Sequence, residues 1–247
     1  MPGKAKPLVR KLRRQAGRLT NVANQILEGA TMLVEEGEKI KVLVRDFFKK
    51  GHKSSNKLYD VDLSGHAVLK NMSTKGTTRY QQARESGKHR LKDTTSHLDL
   101  AEKLVKMTIA DRSGNCGEMA AMSAYYAKKI YNIKRDLLYI GIVYDKGDHA
   151  FCLVSQEAIP DSAQDYASMA DFTKLKVAQS WLIIDPWLNT VCYASNYLTK
   201  SGEKLEKWAS EGKRVAWAEG SQGAGWYVPN GEYKIEFGKA PVLLEPF

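Results

Sequence analysis

Cysteine is scarce in this 247-residue chain: Cys116, Cys152 and Cys192 are an odd number and too few for a disulfide framework. The chain therefore reads as one that works with reduced thiols. No group of cysteines and histidines has the short spacing of a zinc site, so neither a structural metal nor a bound cofactor is expected. Long apolar runs are missing as well. No stretch approaches the roughly 18 apolar residues of a membrane helix, and the basic start "MPGKAKPLVRKLRRQAG" is not followed by a run long enough for a secretory signal. These absences exclude a disulfide-stapled scaffold, a zinc-stapled module and a helical membrane protein. With 43% apolar and 27% charged residues, the chain can build a core without staples and is expected to be soluble.

Acidic residues are short only in the first part of the chain. Residues 1–110 carry 23 Lys and Arg against 11 Asp and Glu, whereas the remainder carries 15 against 17. The formal charge of +10 thus belongs to the N-terminal part and is separate from whatever lies beyond it. A basic face of this kind suits an acidic protein surface or an anionic membrane, with nucleic acid ranked below them. An ordinary solvated helical surface accounts for the charge equally well.

Apolar residues recur at helical spacing from Pro7 to Gly29, and again through Leu33, Val34, Ile40, Leu43, Phe47 and Phe48, until "KKGHKSSNK" ends the pattern. Residues 51–95 read as loops, with a helix near Arg79–Glu85. Order returns with Ser96 as N-cap of a helix whose apolar face holds Leu98, Leu100, Ala101, Leu104, Val105 and Ile109. A turn, "DRSGN", leads to Cys116 and to a helix from Gly117 to Ile133. The period then changes. "LLYIGIVY", "HAFCLVS" and "SWLIIDPW", with "TVCYA" behind them, are short apolar runs rich in branched and aromatic residues, and predict successive strands of a mostly antiparallel sheet. "SGEKLEKWASEG" resumes a helix, "EGSQGAGWYVPNGEY" reads as a loop, and an apolar strand or tail closes the chain. The expected class is α+β: a basic, mainly helical region over 1–95 and a catalytic domain over 96–247 with its core at 112–195.

Three residues carry the chemistry. Cys116 stands where a helix begins, and free amide donors and the positive dipole end there favour a thiolate, the attacking species. Gly114 and Gly117 let the backbone approach a substrate carbonyl, and the Cys116 N–H can stabilise an oxyanion. His149 is the one histidine of five that opens an apolar strand, so it can project from a sheet edge towards a helix end. His52, His66, His89 and His97 lie in polar stretches or at a helix start. Asp185 closes "WLIID" directly before Pro186, where the chain must leave the sheet. A carboxylate there is costly to bury without a partner, and a histidine on the neighbouring strand supplies one. Taken singly, His149 reads equally well as a satisfied strand-start histidine and Asp185 as a turn residue. Cys152 and Cys192 read as small apolar fillers. Glu118 reads as a first-turn carboxylate favoured by the helix dipole.

From Arg112 to Trp187, on "GNCGEMA", "DHAFCLV" and "WLIIDPW", the chain resembles the transglutaminase-like branch of the papain-like cysteine enzymes. That resemblance implies a core with a cysteine-bearing helix packed on an antiparallel sheet. It makes Cys116 the nucleophile, His149 the general base and acid, and Asp185 its orienter. Gly117 stands where many transglutaminases carry tryptophan, which counts against transglutamination. A weaker similarity links "RSGNCGE" to arylamine acetyltransferases, whose glycine-rich strand after the aspartate "DPWLN" does not reproduce. Bacterial effectors and toxins that deamidate or cleave host proteins share the core, so the resemblance implies a protein substrate. It also implies work in a reducing cytoplasm or, after delivery without a cleaved signal, in a host cell. Glutamine or asparagine side-chain deamidation ranks ahead of proteolysis and transamidation. The rival reading is a binding module that uses the basic N-terminal region. A second oxyanion donor is not legible: Gln81, Gln82 and Gln179 qualify only by residue type.

Overall fold

The computed structural model describes residues 33–49, 57–58, 94–109, 112, 114–143, 149–157, 159, 164–217 and 225–247. The expected helices at Pro7–Gly29 and Arg79–Glu85, together with His52, His66, His89, Gln81 and Gln82, lie outside them.

In chain order these residues form helix α1 (33–49), strand β1 (Lys57–Leu58), helices α2 (His97–Val105) and α3 (Cys116–Ile130), and strands β2 (Leu138–Val143), β3 (His149–Val154) and β4 (Gln164–Tyr166). Helix α4 (Met169–Lys174), strands β5 (Leu182–Asp185) and β6 (Thr190–Tyr193), and helix α5 (Ala194–Ser210) follow. Strands β7 (Arg214–Trp217) and β8 (Gly225–Tyr227), helix α6 (Glu232–Lys239) and strand β9 (Val242–Pro246) complete the order. The class is α+β. A six-stranded sheet runs β4-β9-β2-β3-β5-β6 with every pairing antiparallel, and a smaller sheet runs β1-β7-β8.

Burial follows position in the sheet. Every residue of β3 and β5 is buried, as their unbroken apolar runs require of interior strands, whereas all four residues of β6, at the edge, are half-buried. Helix α3 packs across β3 and also meets β5 and β2, with α2 against its outer side. Helix α1 joins the same core: Ile40, Val44, Phe47 and Phe48 are buried in it. A Cβ on Gly37 would come within 2.9 Å of Leu182 and Val191, so α1 lies directly on β5 and β6.

Several expectations need correction. Leu43, Val105 and Ile109 fit the apolar helical period but are exposed. The α3 helix stops at Ile130, three residues early, and Asn132 follows with φ 54°. Helix α5 begins at Ala194 rather than Ser201. The glycine-rich stretch expected as a loop supplies β8, and α6 follows it. The closing apolar segment is a strand that inserts between β4 and β2. Among the described residues, no helix is long and apolar enough to cross a membrane.

Candidate active site

The turn that presents Cys116 is held from both sides. Asn115 caps α3 in a reciprocal box with Glu118, its backbone N–H donating to Glu118 Oε2 at 2.9 Å. Glu118 thus has the first-turn structural role expected of it. Before the turn, the Arg112 guanidinium lies over the Phe47 ring at 4.1 Å. Phe48 fills the space beneath Gly114, where a Cβ would lie 2.6 and 2.8 Å from two ring carbons. At Gly117 the same test finds nothing within 4 Å. The two glycines therefore do different things: one lets a helix pack under the turn, and the other leaves open space beside the cysteine. Gly114→Ala is expected to cost about 1–3 kcal/mol through overpacking. Gly117→Ala is expected to be neutral, or stabilising by up to about 1 kcal/mol, because alanine favours a helix. Urea denaturation of both variants checks this, and an equal loss in the two would refute the distinction.

His149 opens β3 but does not stand at a sheet edge. Strand β3 is interior, flanked by β2 and β5, and His149 pairs with Val143 across the β2 ladder. Its Nε2 lies 2.9 Å from Asp185 Oδ2. The Cys116 side chain also interacts with the ring and favours its charged form.

Asp185 reaches the ring from the end of β5. Pro186 starts the four-residue turn to β6, and Asn189 closes it with φ 58°, in the left-handed region that asparagine tolerates. Asp185 Oδ1 folds over this turn and accepts the Leu188 N–H at 2.9 Å, which leaves Oδ2 for His149. Arg45 of α1 donates to the Pro186 carbonyl at 2.8 Å and ties the turn to the helix beneath. The three sequence-selected residues are thus brought together, at 6%, 4% and 0% exposure for Cys116, His149 and Asp185. Gln179 is exposed at the end of a short 3-10 helix, Lys176–Gln179.

Burial opposes charge on both members of the His–Asp pair, and their mutual interaction overrides it. Desolvation by itself would lower the His149 pKa. The Asp185 charge and hydrogen bond, with help from Cys116, instead carry it up to about 10. Burial would raise the Asp185 carboxyl, but His149, the Leu188 amide and the Tyr197 hydroxyl hold it below its ordinary value. The pair therefore stands as imidazolium and carboxylate at neutral pH. Burial drives the Cys152 thiol far up, and burial with the nearby Asp185 charge pushes Cys192 up to about 12.

Sequence reasoning missed the residues around the pair. Tyr197 of α5 is fully buried, and its hydroxyl donates to Asp185 Oδ2 at 2.7 Å. Trp187 and Phe237 place their rings 5.1 and 5.8 Å from the imidazole. Tyr233 is half-buried, and burial with the neighbouring Cys116 charge raises its phenol. A helix begun at Ala194 would have put Tyr197 one turn inside it, and that boundary was the available signal. As a set, the groups can supply a nucleophile, a proton carrier and its orienter within one desolvated cluster. No family model, curated protein or solved structure matches this chain.

Proposed function

We propose that the chain is a thiol-dependent amide hydrolase with a papain-like, transglutaminase-like core, acting on a protein substrate through Cys116, His149 and Asp185. One observation carries the reading: a buried imidazole is hydrogen-bonded to Asp185 through Nε2 and interacts with Cys116, the only cysteine that starts a helix. The Cys116 thiolate attacks an amide carbonyl carbon, and the carbonyl pair moves onto oxygen. First-turn amides of α3, which by position have no acceptor within the helix, face the resulting oxyanion. Collapse breaks the C–N bond, the leaving nitrogen takes its proton from His149, and a thioester remains. Water then attacks, returns a proton to His149, and releases the acid and the thiolate. Deamidation of glutamine or asparagine ranks ahead of main-chain cleavage in this proposal, as the resemblance to deamidating effectors implies. Delivery as a bacterial effector belongs to the same proposal, and the basic excess of residues 1–110 suits an acidic partner.

Iodoacetamide at pH 7 tests the reading directly. Cys116 is expected to alkylate at least roughly tenfold faster than Cys152 and Cys192, because only a thiolate reacts readily. Equal rates at the three sites would refute it. With candidate protein substrates, a gain of about 1 Da that disappears in Cys116→Ala marks deamidation, and a cut chain marks proteolysis. If Cys116→Ala keeps the biological effect while charge reversal at Arg13 and Arg14 removes it, the chain is a binding module instead.

A further inference from the structure

We infer that Tyr197 is a positioning residue of this site, resting on the reading above: its hydroxyl fixes the Asp185 carboxylate against His149 and so sets the imidazole that faces Cys116. The contacts form a closed triangle. Tyr197 OH lies 2.7 Å from Asp185 Oδ2 and 3.1 Å from His149 Nε2, and those two atoms are 2.9 Å apart. An ionised carboxylate only accepts, so both the phenol and the ring N–H donate to the same oxygen. Oδ1 is already held by the Leu188 amide, so the carboxylate is pinned at both ends. Without the phenol, Oδ2 would keep one donor in a site with no solvent, and the carboxylate could turn about its remaining anchor. The ring of Tyr197 is itself packed at a tilt, 5.0 Å from Phe151 and 6.3 Å from Phe237. The hydroxyl therefore sits on a side chain with little freedom, as a positioning group requires.

Tyr197→Phe keeps that packing and removes only the hydroxyl. The protein labelled with 15N-histidine provides a readout that a purely structural role would not move: the strongly downfield proton of the His149 ring N–H shared with Asp185. In Tyr197→Phe this resonance is expected to shift or to be lost by exchange, and the rate of Cys116 alkylation by iodoacetamide at pH 7 to fall roughly tenfold, as for loss of one hydrogen bond to a charged group. Ile140→Val, a core change remote from the triangle, serves as a control of comparable stability loss that leaves both readouts in place. An unchanged His149 resonance together with an unchanged alkylation rate would overturn the inference. The failure of the hydrolase reading looks different: in the intact protein Cys116 would alkylate no faster than Cys152 and Cys192, while the His149 resonance would still respond to Tyr197→Phe and uphold its positioning role.

Discussion

On the proposed reading, Asp185→Ala is expected to lower turnover by roughly 10³–10⁴-fold, the scale seen when the orienting acid of a catalytic triad is lost, and to slow Cys116 alkylation at neutral pH. The physical cause is a reversal of sign at His149. Burial favours the neutral ring, and Asp185 is the main influence that overrides it. With the carboxylate gone, desolvation prevails and the ring sheds its proton. Stability is expected to fall by about 3 kcal/mol, the lower end for breaking a buried ion pair, because the abandoned histidine can neutralise itself. The Leu188 amide loses its acceptor at the same time.

The same variant alters the pH dependence of folding in a defined direction. In the wild type, His149 has a folded pKa of about 10 against an ordinary 6.5. Its contribution to stability is fully present below about 6.5 and drains away as the pH rises towards 10. Asp185 is depressed from 3.8, so its contribution is present above that value and is lost as the pH falls through the folded value. Denaturant midpoints should therefore hold between about pH 4 and 6.5, then decline on both sides. Asp185→Ala removes the alkaline decline attributable to His149. Persistence of that slope in the variant would detach it from the ion pair.

The site was legible in the sequence where its signals are local. Cys116 follows a glycine turn and starts a helix, Asp185 precedes a proline, and His149 opens an apolar run; each position depends on a few neighbouring residues. The interior strands were legible for the same reason, since apart from His149 and Asp185 at their ends β3 and β5 are apolar. What stayed hidden depends on tertiary partners. In α6, Tyr233, Ile235 and Phe237 alternate with polar residues as a strand would. Packing instead makes a helix in which Phe237 is buried one turn from half-buried Tyr233 and Ile235 is exposed. Strand β9 pairs with β2 about one hundred residues earlier, a partnership that no local pattern announces. Val105 and Ile109 match the apolar period of α2, yet the neighbouring elements do not cover them.

Gly141→Ala is expected to cost about 3 kcal/mol, the upper part of the range for overpacking a filled core. It should also slow Cys116 alkylation, although residue 141 is not one of the proposed site residues. Glycine normally weakens a strand interior, so its place in the middle of β2 needs a reason. Gly141 faces Phe151 across the β2–β3 ladder, and a Cβ there would lie 2.3 Å from two carbons of the Phe151 ring. The ring cannot retreat freely. It is fully buried, with the Tyr197 ring 5.0 Å away and Phe172 at 6.1 Å. Displacement therefore passes to Tyr197, whose hydroxyl holds Asp185. A double-mutant cycle isolates the contact. Phe151→Leu alone should destabilise by creating a cavity, but combined with Gly141→Ala the total should fall short of the sum by more than about 1 kcal/mol, since the smaller side chain makes room for the methyl. Alkylation of Cys116 should recover in the double variant relative to Gly141→Ala. Strict additivity of the two losses would mean that the empty space at residue 141 does not exist to seat the Phe151 ring.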